Sequence, residues 1–143
     1  MKFNLDRLIE LGLIRKIPKS KLKAEESIKT AESWLTEAEN NFLNETFRSC
    51  VLSSYLAMFH SARSILFSDG FREKSHFAVA RYLEDKYTNK KLLEEKWINL
   101  LDHYRELRHA DQYSTSFIVT KEEAKNAMQS AKEFVKRIKN LLG

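Results

Sequence analysis

"CVLSSYLAMFHSARSILF", residues 50–67, is the stretch on which the fold turns. It contains no acid, and only His60 and Arg63 interrupt a run of apolar and small side chains. A helix with no polar face is hidden from solvent by other helices, so this segment is the central member of a bundle. It runs from about Thr46 to Ser68, and Gly70 ends it by supplying a left-handed C-terminal residue.

The flanking segments read as its partners. Upstream, Pro18 and Ser20 mark a boundary, with Ser20 as N-cap. From there to about Asn44, Ile28, Ala31, Trp34, Leu35, Ala38 and Phe42 recur at intervals of three and four, giving a one-sided amphipathic helix. Downstream, Ser75 caps a shorter helix in "HFAVARYLEDKY", and "TNK" breaks it. A fourth long segment follows, with Leu93, Trp97, Leu100, Leu101, Tyr104 and Leu107 on its inner stripe. Thr120 and Glu123 form a capping box opening the last helix, whose core side carries Ala124, Ala127, Met128, Ala131, Phe134, Val135, Ile138 and Leu141. The expected class is therefore all-α: an antiparallel up-and-down bundle of four long helices and a shorter one. Residues 1–143 form one domain, in which 1–18 is an N-terminal extension with a short helix through Leu5, Leu8 and Ile9.

Composition supports helices, since three Gly and one Pro in 143 residues leave little turn chemistry. One cysteine, Cys50, excludes an intramolecular disulfide framework and a cysteine-based metal site. Three scattered glycines cannot make a phosphate loop. With neither a secretory leader nor an apolar run of about 18 residues, the expected location is cytoplasmic, without membrane contact. The net charge is +5, and the basic segments "RKIPKSKLK" and "KEFVKRIK" either meet phosphates or are solvated helix faces.

The chemistry concentrates in "HYRELRHADQYS", residues 103–114, where the inner stripe turns polar. At about 100° per residue, Arg105 and His109 share one face, and Tyr104, Arg108 and Asp111 share another. An arginine there can hold phosphate bidentately, a histidine can move a proton near neutral pH, and Tyr113 can stack on a base or present a modifiable hydroxyl. The bland alternative is a helix C-terminus decorated with basic side chains. In the central helix, His60 is either a hydrogen-bonded core histidine or part of a site, while Arg63 must find an acid or water, with Asp111 as a candidate partner. Glu73 with His76, and Glu106 with His109, have the Glu-x-x-His spacing of di-iron bundles, but the buried second helix offers no further carboxylate. No metal or cofactor is expected.

"SSYLAMFHSARSILFSDGFREKSH" followed by "YRELRHADQY" resembles the small stand-alone HEPN-domain proteins of prokaryotes, and "LIRKIPKSKLKAEESIKTAESWLTEAENNF" is similar to their opening. The resemblance implies an antiparallel bundle, usually dimeric, with a cleft between subunits lined by basic residues near the end of the fourth long helix. It also implies a minimal nucleotidyltransferase as partner in a two-component toxin and antitoxin pair. Active members cut RNA without metal, using an arginine and a histidine separated by four to six residues. Arg108 and Tyr113 match family positions, and His109 follows Arg108 directly. The nuclease spacing itself is absent, since Arg105 and His109 have three residues between them. Nucleotide or RNA binding is therefore expected ahead of cleavage, through Arg108, His109 and Tyr113, with Arg105, Asp111, His60, Arg63 and His76 as neighbours. Arg108 and His109 would be the catalytic pair of a metal-independent endoribonuclease toxin. The remaining alternative is a non-catalytic dimerisation or interaction module.

Overall fold

The structure is a computed structural model that describes residues 3–113 and 118–143; the side chains of Gln112 and Tyr113 lie outside the description. The chain order is α1 (Leu5–Glu10), β1 (Ile14–Lys16), α2 (Lys21–Leu43), α3 (Phe47–Asp69), β2 (Phe71–Glu73), α4 (His76–Leu83), a π-helical turn (Glu84–Thr88), α5 (Glu95–Tyr113) and α6 (Lys121–Leu142). The all-α bundle expected from the sequence is what forms. The capping residues act as their chemistry dictates: Ser20, Ser75 and Thr120 each accept a backbone N–H in the first turn of α2, α4 and α6, and Glu123 completes the box at Thr120.

Helix α3 is the centre. Its buried residues include Cys50, Val51, Tyr55, Met58, Ile65 and Leu66, and each large one contributes about 2 kcal/mol of burial. Small side chains bring α2 close against it. Ala24, Ser27, Ala31 and Ala38 are buried on α2, and Ser53, Ser54, Ala57, Ser61 and Ser64 on α3. Within this contact the Ser27 hydroxyl donates to the His60 carbonyl at 2.6 Å, and the Asn41 amide to Ser53 at 3.0 Å.

Three short elements, the two strands and the π-helical turn, carry no periodic signal in the sequence. Strand β1 pairs antiparallel with β2, Ile14 opposite Glu73 and Lys16 opposite Phe71. The turn before β2 depends on Gly70, which sits at φ 92°, and a Cβ there would lie 3.0 Å from the Ile17 carbonyl. This ribbon folds the chain back along the last turns of α3, which carries Glu73 to the level of Arg63. The π-helical turn is anchored by two phenols, Tyr82 and Tyr87, which both donate to Asp69 Oδ2 at 2.7 Å. Among the described residues no helix is long and apolar enough to cross a membrane.

Candidate anion-binding cleft on the central helix

One face of α3 stays partly open through Leu52, Leu56, His60 and Arg63, spaced so that they form a stripe along the helix. Helix α5 runs antiparallel beside it, its end at Asp111 paired with Arg48 near the start of α3, and Arg108 and Leu56 both line two adjoining hollows. The first, of about 350 Å³, is lined by Leu56, Phe59, His60, Arg63, Glu73, Lys74, Ser75, His76 and Arg108. The second, of about 320 Å³, is lined by Arg48, Leu52, Leu56, Arg108 and Asp111. The fold thus gathers His60, Arg63, His76 and Arg108, which come from α3, the start of α4 and α5, around one cleft.

Two of the charged groups at the cleft are fixed by carboxylate partners. Arg63 Nε donates to Glu73 Oε1 at 2.8 Å, with its guanidinium 5.1 Å from the centroid of the Phe67 ring. Asp111 is therefore not the partner of Arg63; it pairs with Arg48 instead. The reason is distance along α3: Arg48 and Arg63 are separated by roughly 22 Å of helix, and the end of α5 lies beside Arg48. Arg108, which lines both hollows, makes no hydrogen bond or ion pair among the described residues.

Arg105 is placed differently. It donates to Asp102 at 2.5 Å, Asp102 also accepts from Arg81 at 2.5 Å, and both guanidiniums lie over the Phe77 ring. It borders the cleft electrostatically without lining it. His109 is exposed and is not a lining residue of either hollow. Arg105 and His109, within about 40° of one another around α5, therefore both lie outside the lining of the two hollows. The Tyr113 side chain is outside the described residues.

His76 has the most constrained environment. Its ring stacks on Phe59 at 3.8 Å between centroids and 9° between planes, and its Nδ1 lies 2.7 Å from the Tyr55 hydroxyl. Burial, then the charges of Arg108, His60, Arg63 and Arg105, push its pKa down to about 4. It also occupies the first position of α4, where the positive end of the helix dipole disfavours an imidazolium. His60 is likewise lowered, by burial and by Arg63. The cleft therefore presents two guanidiniums, the Lys74 ammonium and two neutral imidazoles, with Glu73 as counter-charge.

Glu73, Lys74, Phe59 and Tyr55 were not foreseen as parts of this arrangement. For Glu73 and Lys74 the signal lies in chain geometry: a helix-ending Gly70 followed within five residues by the N-cap Ser75 confines residues 71–76 to the last turns of α3. Glu73 and His76, read from spacing as a Glu-x-x-His pair, turn to different partners. Among the described residues there is no group of three His, Cys, Asp or Glu able to hold a metal.

Comparison with known proteins adds a lineage to the geometry. A profile of the HEPN domain matches residues 24–141. A Methanocaldococcus jannaschii protein named "Putative toxin MJ0605" is 32% identical over 115 residues, covering 80% of this chain and 85% of the relative. An Archaeoglobus fulgidus protein named as a UPF0332 protein is 28% identical over 113 residues, 79% of this chain and 90% of the relative.

Proposed function

The chain belongs to the HEPN domain family, and on that premise we propose that it binds the phosphate of a nucleotide or of RNA in the cleft around Arg108. The observation that carries this reading is the setting of Arg108: a guanidinium with no carboxylate partner among the described residues, beside Arg63, Lys74 and two neutral imidazoles. A guanidinium so disposed can engage two oxygens of one phosphate, and Arg63, held by Glu73, adds a second positive centre.

The same proposal assigns the protein to a toxin and antitoxin-like pair with a minimal nucleotidyltransferase as partner. Support comes from the relative named as a toxin, which matches over most of both chains. A homodimer belongs to the proposal as well, because the partly exposed Leu52 and Leu56 offer an apolar strip beside Arg108 on which a second copy could close.

The test is titration of the purified protein with 5′-AMP and with a short single-stranded RNA, for wild type and Arg108→Ala. The reading requires at least a tenfold loss in the variant, corresponding to about 1.4 kcal/mol. Equal affinities in the two proteins would remove Arg108 from the site.

Metal-independent RNA cleavage is the second reading, and one observation favours it. Two imidazoles held neutral stand in the same cleft as two guanidiniums, the composition that a general base and a stabilised phosphorane need. Against it stands the exposure of His109 away from the lining residues. Incubation with RNA in excess chelator decides: cleavage abolished by His60→Ala supports it, and intact RNA at high protein concentration ends it.

A further inference from the structure

The contact between Tyr55 and His76 has two arrangements, and only one satisfies both groups. In the first, the phenolic O–H donates to Nδ1 and the ring proton resides on Nε2. In the second, Nδ1–H donates to the phenolic oxygen, and the phenolic hydrogen needs another acceptor. Tyr55 is 1% exposed, and His76 is the hydrogen-bond partner its hydroxyl has among the described residues. The second arrangement would therefore bury a donor with nothing to receive it. Ionising the phenol is no escape, because burial raises its pKa.

Nε2 of His76 makes no hydrogen bond among the described residues, yet it is not one of the buried polar atoms lacking a partner. It is consequently open to the cleft that His76 lines. The parallel stack on Phe59 fixes the plane of the ring, and a flip of that ring would forfeit the bond to Tyr55.

We infer that Tyr55 is a positioning residue that locks His76 as its Nε2–H tautomer, so that His76 gives the cleft a fixed neutral donor for a phosphate oxygen. This rests on the phosphate reading of the cleft and deepens it. His76 then completes a donor set with Arg63 and Arg108 and does not exchange protons with the ligand, so His60 is the remaining cleft imidazole able to accept one. The charged groups around His76 agree with a donor that stays neutral: Arg63 and His60 on α3, Glu73 on β2, Lys74 beyond it, and Arg105 and Arg108 on α5. An additional positive charge on His76 would face guanidiniums from two helices. A neutral N–H faces them without repulsion and still serves an anion.

Two measurements test the inference. Long-range ¹⁵N–¹H correlation on the ligand-free protein at neutral pH reads the tautomer directly. It is expected to show His76 with a protonated Nε2 and an unprotonated Nδ1, and a tautomer mixture in Tyr55→Phe. A protonated Nδ1, or an averaged ring in the wild type, would overturn the lock. Calorimetric titration with 5′-AMP then compares His76→Gln, which keeps an amide donor near the Nε2 position, with His76→Leu, which keeps none. The expected outcome is affinity within about threefold of wild type for Gln and about tenfold weaker for Leu. Equal binding by Leu and wild type, or a Gln variant as weak as Leu, would refute the donor role. If the wild type binds neither AMP nor RNA, the phosphate reading and the ligand half of the inference fall together, while the tautomer measurement still decides the role of Tyr55.

Discussion

Arg63 and Glu73 are joined at 2.8 Å across the wall of the cleft, with the Glu73 carboxylate only 7% exposed. The pair links the middle of the central helix to the strand that follows it. It also sets the charge of the first hollow, where Glu73 is the carboxylate among the lining residues. Replacing Glu73 by Gln removes a negative charge near the bound anion while keeping a hydrogen-bond acceptor for Arg63. Affinity for 5′-AMP is expected to rise roughly fivefold, about 1 kcal/mol at a separation of several ångströms in a partly wet site. The fold should weaken by about 1–3 kcal/mol through loss of the partly buried ion pair. Isothermal titration and urea unfolding on the same variant check both signs, and weaker AMP binding would show that Glu73 orders the site more than it discharges it.

His76 makes a second prediction through pH. Its pKa is about 4 in the fold, against about 6.5 in an unfolded chain. The unfolded state therefore binds a proton as pH falls through 6.5, while the folded state resists until about 4. Stability from this residue is complete above pH 6.5, declines between 6.5 and 4, and changes no further below. Allowing for solvent screening at a partly exposed ring, the decline is about 2 kcal/mol. Urea unfolding midpoints measured from pH 7.5 to 4 should fall more steeply in the wild type than in His76→Phe; parallel curves would contradict the neutral, buried assignment.

Gly70 supplies a test of how the cleft is built. Gly70→Ala places a Cβ 3.0 Å from the Ile17 carbonyl at a backbone angle that side chains avoid. The expected cost is about 1–3 kcal/mol. Because the ribbon places Glu73 and His76, AMP affinity should drop as well, under conditions where the variant remains folded. A variant of full stability would mean that the turn tolerates a side chain and the ribbon does not depend on it.

How much of this was legible beforehand differs between fold and site. The helices were readable because burial and periodicity are local signals: the acid-free run at 50–67 could only be central, and Ser20, Ser75 and the Thr120–Glu123 box stand at helix starts. The short ribbon was not readable, since Ile14–Lys16 and Phe71–Glu73 are three residues each and carry no alternation long enough to register. For the site, His60, Arg63, His76 and Arg108 do share a cleft, but the choice of salt-bridge partners was not legible. Arg63 and Asp111 looked complementary as lone charges, and only the antiparallel placement of α5 and the return of β2 decide that each pairs elsewhere. Nothing in the sequence singles out Tyr55, because its importance lies in a single hydrogen bond to a residue 21 positions away.

If Arg108 holds a phosphate, the salt dependence of RNA binding reads that contact most directly. For single-stranded RNA, each phosphate neutralised adds about 0.7 to the slope of log affinity against log salt. Wild type and Arg108→Gln should be compared with one short single-stranded RNA over a series of salt concentrations. The variant is expected to bind more weakly, with a slope smaller by about 0.7. Superimposable lines for the two proteins would contradict a phosphate contact at Arg108.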